Sequence, residues 1–414
     1  MPEDAEEKPM SMDAAVATKP ARLEGKPLIF FLTLLAALGM LATNMYLPSF
    51  PSLGRDLAAT PAQVKLTLTV FLLGFAFGQL VIGPLSDKFG RRPLLIGGLV
   101  VYAITAALIA LAVSIEWMLA LRVAQAVGAC TGSVLARAVA RDLFSGDELT
   151  RSLGFITTLV AAAPGFSPLI GGLIETFIGW RAIFALLALV GIFAAAMVWL
   201  RVPETHHSRE TAPSMAQAFG SYFMLLAKRE FMVPTLATTC AMAGLFAFFA
   251  SSPGIFIERY GVSPALFGLI PCFTVFAVFA GGFSAPRLAK KWPGFKPIIL
   301  GLAMMVVGGT AMLAISHAGN PGMYTVLGTL LFFLYGMGVV NPLATVFALR
   351  PFPEQAGAAS ALIGFFQMAG GAFGTVLIGL LPLPLLPGLP LVMLGAAILG
   401  LIAVLAGAKC VQPD

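Results

Sequence analysis

The chain has 414 residues, 59% hydrophobic and only 11% charged, with a mean hydropathy of +0.94. Water-soluble domains carry roughly 25% charged residues, which excludes a soluble enzyme or nucleic-acid binder. The apolar share suffices for roughly a dozen membrane-crossing helices of about 20 residues each. The net charge of +6 reflects where the basic residues stand along the chain, not a nucleic-acid-binding domain.

Residues 1–27 mix acids, bases, Pro and Ala without periodicity and are expected to form a disordered cytoplasmic tail. The apolar run that follows is full-length and is succeeded by many others, which argues against a signal peptide. Twelve spans are predicted, at 28–49, 64–84, 93–113, 117–141, 152–175, 181–201, 231–255, 264–285, 296–316, 323–347, 357–381 and 386–408. The one sizeable polar break, a central loop at 202–230 with Glu204, His206, His207 and Glu210, divides them into six-helix sets at 28–201 and 231–409. Cys130, Cys240, Cys272 and Cys410 lie in or beside apolar runs with no pairing or metal spacing and count as small hydrophobic residues. The chain lacks His-Glu-x-x-His, Gly-x-Ser-x-Gly and a phosphate-binding glycine loop, so neither an enzyme nor a metal or cofactor site is expected.

With the N-terminus placed inside, twenty of the 25 Lys and Arg fall at the cytoplasmic side. Only Arg55, Lys65, Arg181 and Arg259 fall outside, and Arg122 lies within a span. This asymmetry sets the orientation, with both termini cytoplasmic. The two sets also repeat. Gly83-Pro-Leu-Ser-Asp87-Lys-Phe-Gly90-Arg91-Arg92 follows span 2, and a degraded copy, Gly281-Gly-Phe-Ser-Ala-Pro-Arg287-Leu-Ala-Lys290-Lys291, follows span 8. Such a repeat points to two six-helix halves related by an axis along the membrane normal.

The stretch from Gly83 to Arg92 resembles the loop 2–3 signature of the major facilitator superfamily. Arg122-Val-Ala-Gln125-Ala-Val-Gly128 resembles that superfamily's span 4 motif. Ala163-Pro164-Gly-Phe-Ser-Pro168-Leu-Ile-Gly171-Gly172 resembles the span 5 motif of its drug:proton antiporters. Asn44-Met-Tyr46-Leu-Pro48-Ser-Phe-Pro51 and Gly132-Ser-Val-Leu-Ala-Arg137-Ala-Val-Ala-Arg141-Asp142 resemble the Bcr/CflA drug-resistance branch. The motifs cover the first half densely, whereas the second half agrees mainly in hydropathy.

The resemblance implies an all-α membrane protein with twelve transmembrane helices in two pseudo-symmetric bundles. It would act in the bacterial inner membrane as a monomeric exporter of small amphipathic compounds, with protons as the candidate coupling ion. It also makes Asp87 a latch against the start of span 11 near Gly357, where a helix dipole favours an anion. Gly83 and Gly90 would bracket the turn, beside Arg91 and Arg92. Pro164, Pro168, Gly171 and Gly172 would form a bend between the halves, Pro kinking the helix and small residues allowing close packing.

Arg122 is the one clear charge within the spans; a cation there faces a cavity or partner or snorkels outward. Gln125, at i+3, shares its face. The candidate substrate site adds Tyr46, Phe248, Tyr335, Asn341, Gln367 and Asn44. Proton antiporters of this kind carry an acid where Asn44 stands, and an amide cannot titrate. Three alternatives stay open: coupling through Asp56, Glu116 or another edge acid; uncoupled transport; or an Asp-to-Asn change that mimics a protonated acid. A physiological metabolite or siderophore exporter of the same fold is the competing function.

Overall fold

A computed structural model describes Leu23, residues 25–205 and residues 215–411, with side chains to 407. Of the tail expected at 1–27, residues 1–22 and 24 lie outside the described residues, as do His206, His207 and Glu210, while Gly25, Lys26 and Pro27 open the first helix instead of belonging to a disordered tail. The described chain is helical: α1 (Gly25–Asn44), α2 (Phe50–Asp56), α3 (Pro61–Phe89), α4 (Arg91–Ala110), α5 (Ile115–Leu143), α6 (Gly146–Phe177), α7 (Trp180–Arg201), α8 (Met215–Leu226), α9 (Arg229–Pro253), α10 (Pro264–Phe267), α11 (Leu269–Lys291), α12 (Lys296–His317), α13 (Met323–Leu349), α14 (Ala356–Leu380) and α15 (Leu385–Val411). Twelve of its helical segments are long and apolar enough to cross a membrane, one for each predicted span. The even number places both ends of the described helical region at one face, here the terminal face, opposite a far face.

Local chemistry sets the breaks. Thr60 and Gln63 form a reciprocal capping box before Pro61 at the start of α3. Gly90, at φ 97°, makes the turn from α3 into α4, a conformation that disfavours residues with a Cβ. Gly83 corrects the sequence expectation: it lies inside α3, not at the turn, because the helix continues through Pro84. Proline removes the N–H that would bond the carbonyl four residues back, here that of Leu80. That carbonyl is taken by the Tyr222 hydroxyl of α8 at 3.0 Å. The segment expected as a plain loop at 202–230 thus contains a helix, held by burial of Tyr222 and Leu225 at i, i+3 against the α3, α9 and α14 ends.

The two halves repeat the same packing. In the first, span 1 (α1) packs on spans 4 and 5 (α5, α6), span 2 (α3) on span 4, and span 3 (α4) on spans 4 and 6 (α5, α7). In the second, span 7 (α9) packs on spans 10 and 11 (α13, α14), span 8 (α11) on span 10, and span 9 (α12) on spans 10 and 12 (α13, α15). The halves meet along two seams that are symmetry mates, α3 on α14 and α6 on α10–α11. The α3/α14 seam runs from a Thr69–Thr375 hydroxyl pair at 2.6 Å to the Phe77–Phe365 ring contact at 5.5 Å. The closest approaches of α6 to α10 and α11 lie between Gly165 and Gly172, in its far half. In its terminal-face half, from 146 to 164, only Ser152 and Ile156 are buried, and consecutive residues 157–159 are exposed. This seam is therefore closed toward the far face and open toward the terminal face.

Candidate functional site

The polar residues singled out from sequence fall into two groups, one in each half. In the first, Arg122 of α5 is fully buried, 0% exposed, and neither snorkels nor faces an open cavity. Its Nη1 donates to the Ala42 carbonyl at 3.0 Å and to Gln125 Oε1 at 2.8 Å, and its Nε donates to the Thr67 carbonyl at 3.3 Å. Phe71 and Tyr46 rings stand 4.2 and 4.6 Å from the guanidinium, with Phe184 at 5.9 Å. Ring faces are electron-rich and stabilise a cation, the more so when it is desolvated. One side chain thus ties α1, α3, α5 and α7 together, and Tyr46 adds a hydroxyl pair with Thr67 at 3.0 Å.

Asn44 closes α1, also fully buried; its Nδ2 donates to the Met40 carbonyl and Thr43 Oγ1, each at 2.9 Å. Phe248 is equally enclosed, with its ring 5.6 Å from that of Phe249. Asn44, Tyr46, Arg122, Gln125 and Phe248 are expected to contact substrate; in this structure all five are buried in bundle interiors, with no exposed surface. Arg122 is also not the sole charge inside the spans: Lys65 lies in α3, and Arg137, counted with the loop, lies in α5 and donates to Ser133 Oγ at 3.1 Å.

In the second half, Tyr335, Asn341 and Gln367 are only partly buried. Gln367 Nε2 donates to Asn341 Oδ1 at 3.1 Å, linking α14 to α13, and the Tyr335 hydroxyl donates to Ser284 Oγ at 2.7 Å, linking α13 to α11. These are the polar groups from the sequence list that retain exposure.

In α6, Pro164 and Pro168 both sit inside one continuous helix. The neighbouring glycines act by proximity: a Cβ on Gly171 would collide with the Met45 carbonyl, and one on Gly172 with the Pro264 carbonyl. The first contact joins α6 to the chain just past Asn44, and the second joins it to the other half.

At the terminal face, no hydrogen bond joins Asp87 to the start of α14 among the described residues, and a Cβ on Gly357 would meet nothing within 4 Å. The Asp87 carboxylate instead pairs with Arg91, whose guanidinium also bonds Ser86 Oγ and, at 3.3 Å, Asp142 of α5. Glu204 caps α4 by accepting the backbone N–H of Arg91 at 3.0 Å and of Arg92 at 3.3 Å, and Arg92 donates to the Trp199 carbonyl at 2.6 Å. The expected latch is therefore an ion cluster within the first half. Burial, followed by the nearby Asp87 carboxylate, pushes the Tyr222 hydroxyl up to about 12.

Sequence reasoning missed two features. Thr69 and Thr375 join the halves, and threonines in apolar helices carry no pattern that distinguishes a seam from a core. A cavity of about 240 Å³ at the far face lies between the halves, bounded by Arg55 and Lys65 on one side and by Gly254, Glu258 and Leu385 on the other. A larger cavity of about 300 Å³ is lined by apolar groups of α9, α14 and α15, including Cys240, Phe373 and Leu399. It lies within one half, away from the polar residues, and is not the candidate site.

Twelve crossings, two equivalent halves and two symmetry-related seams define a transporter of alternating-access architecture. The Major Facilitator Superfamily model matches residues 32–375, and the chain belongs to that superfamily. It is 35% identical to a bicyclomycin resistance protein homolog of Haemophilus influenzae over 83% of this chain and 87% of the relative. It is 36% identical to a chloramphenicol resistance protein of Pseudomonas aeruginosa, over 84% and 82%. Its fold matches an inward-facing, occupied bacterial homolog of the human lysosomal transporter Spinster with a TM-score of 0.72, at 16% identity, over 94% of this chain and 97% of that one. The drug-resistance relatives agree with the Bcr/CflA resemblance of the motifs.

Proposed function

We propose that this transporter exports small amphipathic compounds across the bacterial inner membrane. The terminal face would lie in the cytoplasm, and the two halves of a single chain would rock about the seams. The observation that carries this is the pair of seams: small residues seal α6 against α10–α11 in the far half, while the terminal-face half of α6 is exposed. Basic residues crowd that terminal face, as the positive-inside rule asks of a cytoplasmic one. Tyr335, Asn341 and Gln367, partly exposed beside the seam, would offer hydrogen bonds to a solute. The test is a panel of antibiotics and dyes in an efflux-deficient host, with and without a proton uncoupler. Resistance that the uncoupler abolishes supports proton-linked export, and resistance to no compound rejects drug export.

The buried amide at Asn44 favours a second reading, transport uncoupled from protons or coupled through an edge acid. Among edge acids, Asp56 is already engaged, accepting from Trp180 Nε1 at 2.9 Å and pairing with Arg181 at 3.1 Å. Asn44→Asp is expected to introduce pH-dependent transport in proteoliposomes. An unchanged pH profile rejects that role for the position.

A further inference from the structure

Two cations and one acid share the cavity between the halves at the far face. Lys65 of α3 and Arg55 of α2 line it from the first half and Glu258 from the second, and Phe50, Val64 and Leu385 complete an apolar lining. Lys65 is only 9% exposed. Among the described residues neither its ammonium nor the Arg55 guanidinium takes part in an ion pair or hydrogen bond. Beyond Pro253, α9 continues through one π-helical turn, Gly254–Arg259, which carries Glu258. Such turns are rare and concentrate at functional sites. The carboxylate stands beside Gly254 on the cavity wall, where a Cβ would lie 3.5 Å from Glu258 Oε2. It acts on Lys65 electrostatically but forms no ion pair with it, so the cavity keeps the charges apart. A buried ammonium without a contacting counter-charge is costly, and this one faces a space large enough to hold a partner. That space, about 240 Å³, falls below the roughly 300–1,000 Å³ of pockets that take drug-sized ligands. None of the residues offered above to the exported solute lines it.

We propose that this cavity binds a small zwitterion with an apolar body, of the class of the aliphatic and aromatic α-amino acids. The ligand's carboxylate meets Lys65 and Arg55, its ammonium meets Glu258, and its body packs on Phe50, Val64 and Leu385. A plain anion would confront Glu258 and a plain cation would confront two like charges, so a ligand bearing both charges is the one that satisfies both walls. Because the walls belong to different halves, the bound molecule bridges them and holds the far face closed.

The test is the thermal unfolding of the purified full chain in nonionic detergent, at neutral pH and constant ionic strength, with leucine or phenylalanine titrated in. Both are expected to raise the melting temperature saturably. N-acetylleucine lacks the cation and leucinamide lacks the anion, and each should need about tenfold more for the same rise. Lys65→Met and Glu258→Gln should each raise the half-saturating leucine about tenfold. Glu258 is exposed, so its variant decides the matter if Lys65→Met does not fold. A melting temperature that neither amino acid moves overturns the site. So do equal rises with leucine, N-acetylleucine and leucinamide, or a leucine response unchanged in Glu258→Gln. Stabilisation by dihexanoyl phosphatidylethanolamine but by neither amino acid assigns the cavity to a lipid headgroup and also overturns it. Binding is read without transport, so its failure leaves the export proposal untouched, and the resistance panel does not bear on it.

Discussion

Helices α5 and α13 hold equivalent places in the two halves, each packed against the first, second and third spans of its own set. Yet α5 encloses a fully buried arginine with four aromatic and polar neighbours, while α13 presents a partly exposed tyrosine and asparagine. The terminal-face loops differ in the same way. The first copy of the repeated motif organises Asp87, Arg91, Asp142 and Glu204 into one cluster. In the second, Ala285 stands at the place of Asp87, and the Arg287 guanidinium donates to the Phe283 carbonyl of its own helix. Packing geometry and electrostatics are thus inherited separately. Helix length and small residues reproduce the arrangement, whereas the ion pairs among the described residues all lie in the first half, and the second has partly exposed hydrogen-bonding groups near the seam.

The severest way to break this contrast is Arg122→Leu. It strands the Ala42 and Thr67 carbonyls and Gln125 Oε1, and stranded buried groups cost about 1–3 kcal/mol each. A stability loss of about 3 kcal/mol or more is expected from three such groups, read as a lowered melting temperature. A substitution at the polar pair of the second half, Gln367→Leu, leaves one half-buried acceptor and should lower melting far less while altering the compounds to which the protein confers resistance. Equal destabilisation by the two would refute the contrast between a buried, cross-linked arginine and a partly exposed amide pair.

Next in size is Gly172→Val. The added side chain cannot fit against the Pro264 carbonyl unless the halves part, and overpacking costs about 1–3 kcal/mol. Because the contact lies between halves, transport in vesicles should fall more than melting temperature does. A parallel loss of both would make the glycine a folding residue only.

The smallest and sharpest effect concerns Tyr222→Phe, expected to cost about 1 kcal/mol, a typical buried hydrogen bond. Restoring the missing N–H with Pro84→Ala gives Leu80 its helical partner back. The tyrosine substitution should then cost measurably less in that background, a coupling read by a double-mutant cycle on unfolding free energy. Additive effects would show that the hydroxyl does not serve the proline.

The spans were legible because membrane crossing is a local property: each helix must satisfy its own backbone bonds in lipid and be apolar over its length. All twelve appear close to their predicted limits, and the widest discrepancy, α2 extending the first span to Asp56, follows from polar residues that hydropathy discounts. The site was less legible. Arg122 and Gln125 were correctly placed on one face of α5, but a helical face does not say whether it meets a cavity or three aromatic rings. Asp87 was expected to reach α14, and the outcome was decided by Arg91, one turn away on the opening turn of α4, and by Asp142 of α5.

Sequence alone determined the number of crossings, their grouping into two sets of six and the family, since hydropathy, charge asymmetry and contiguous motifs are written along one dimension. Tertiary structure alone decided that Arg122 is sealed, that Tyr222 completes a proline-broken helix, and that one seam is closed toward the far face only. Those outcomes depend on distances between helices far apart in the chain, and such distances are set by how side chains from several helices fill a shared volume.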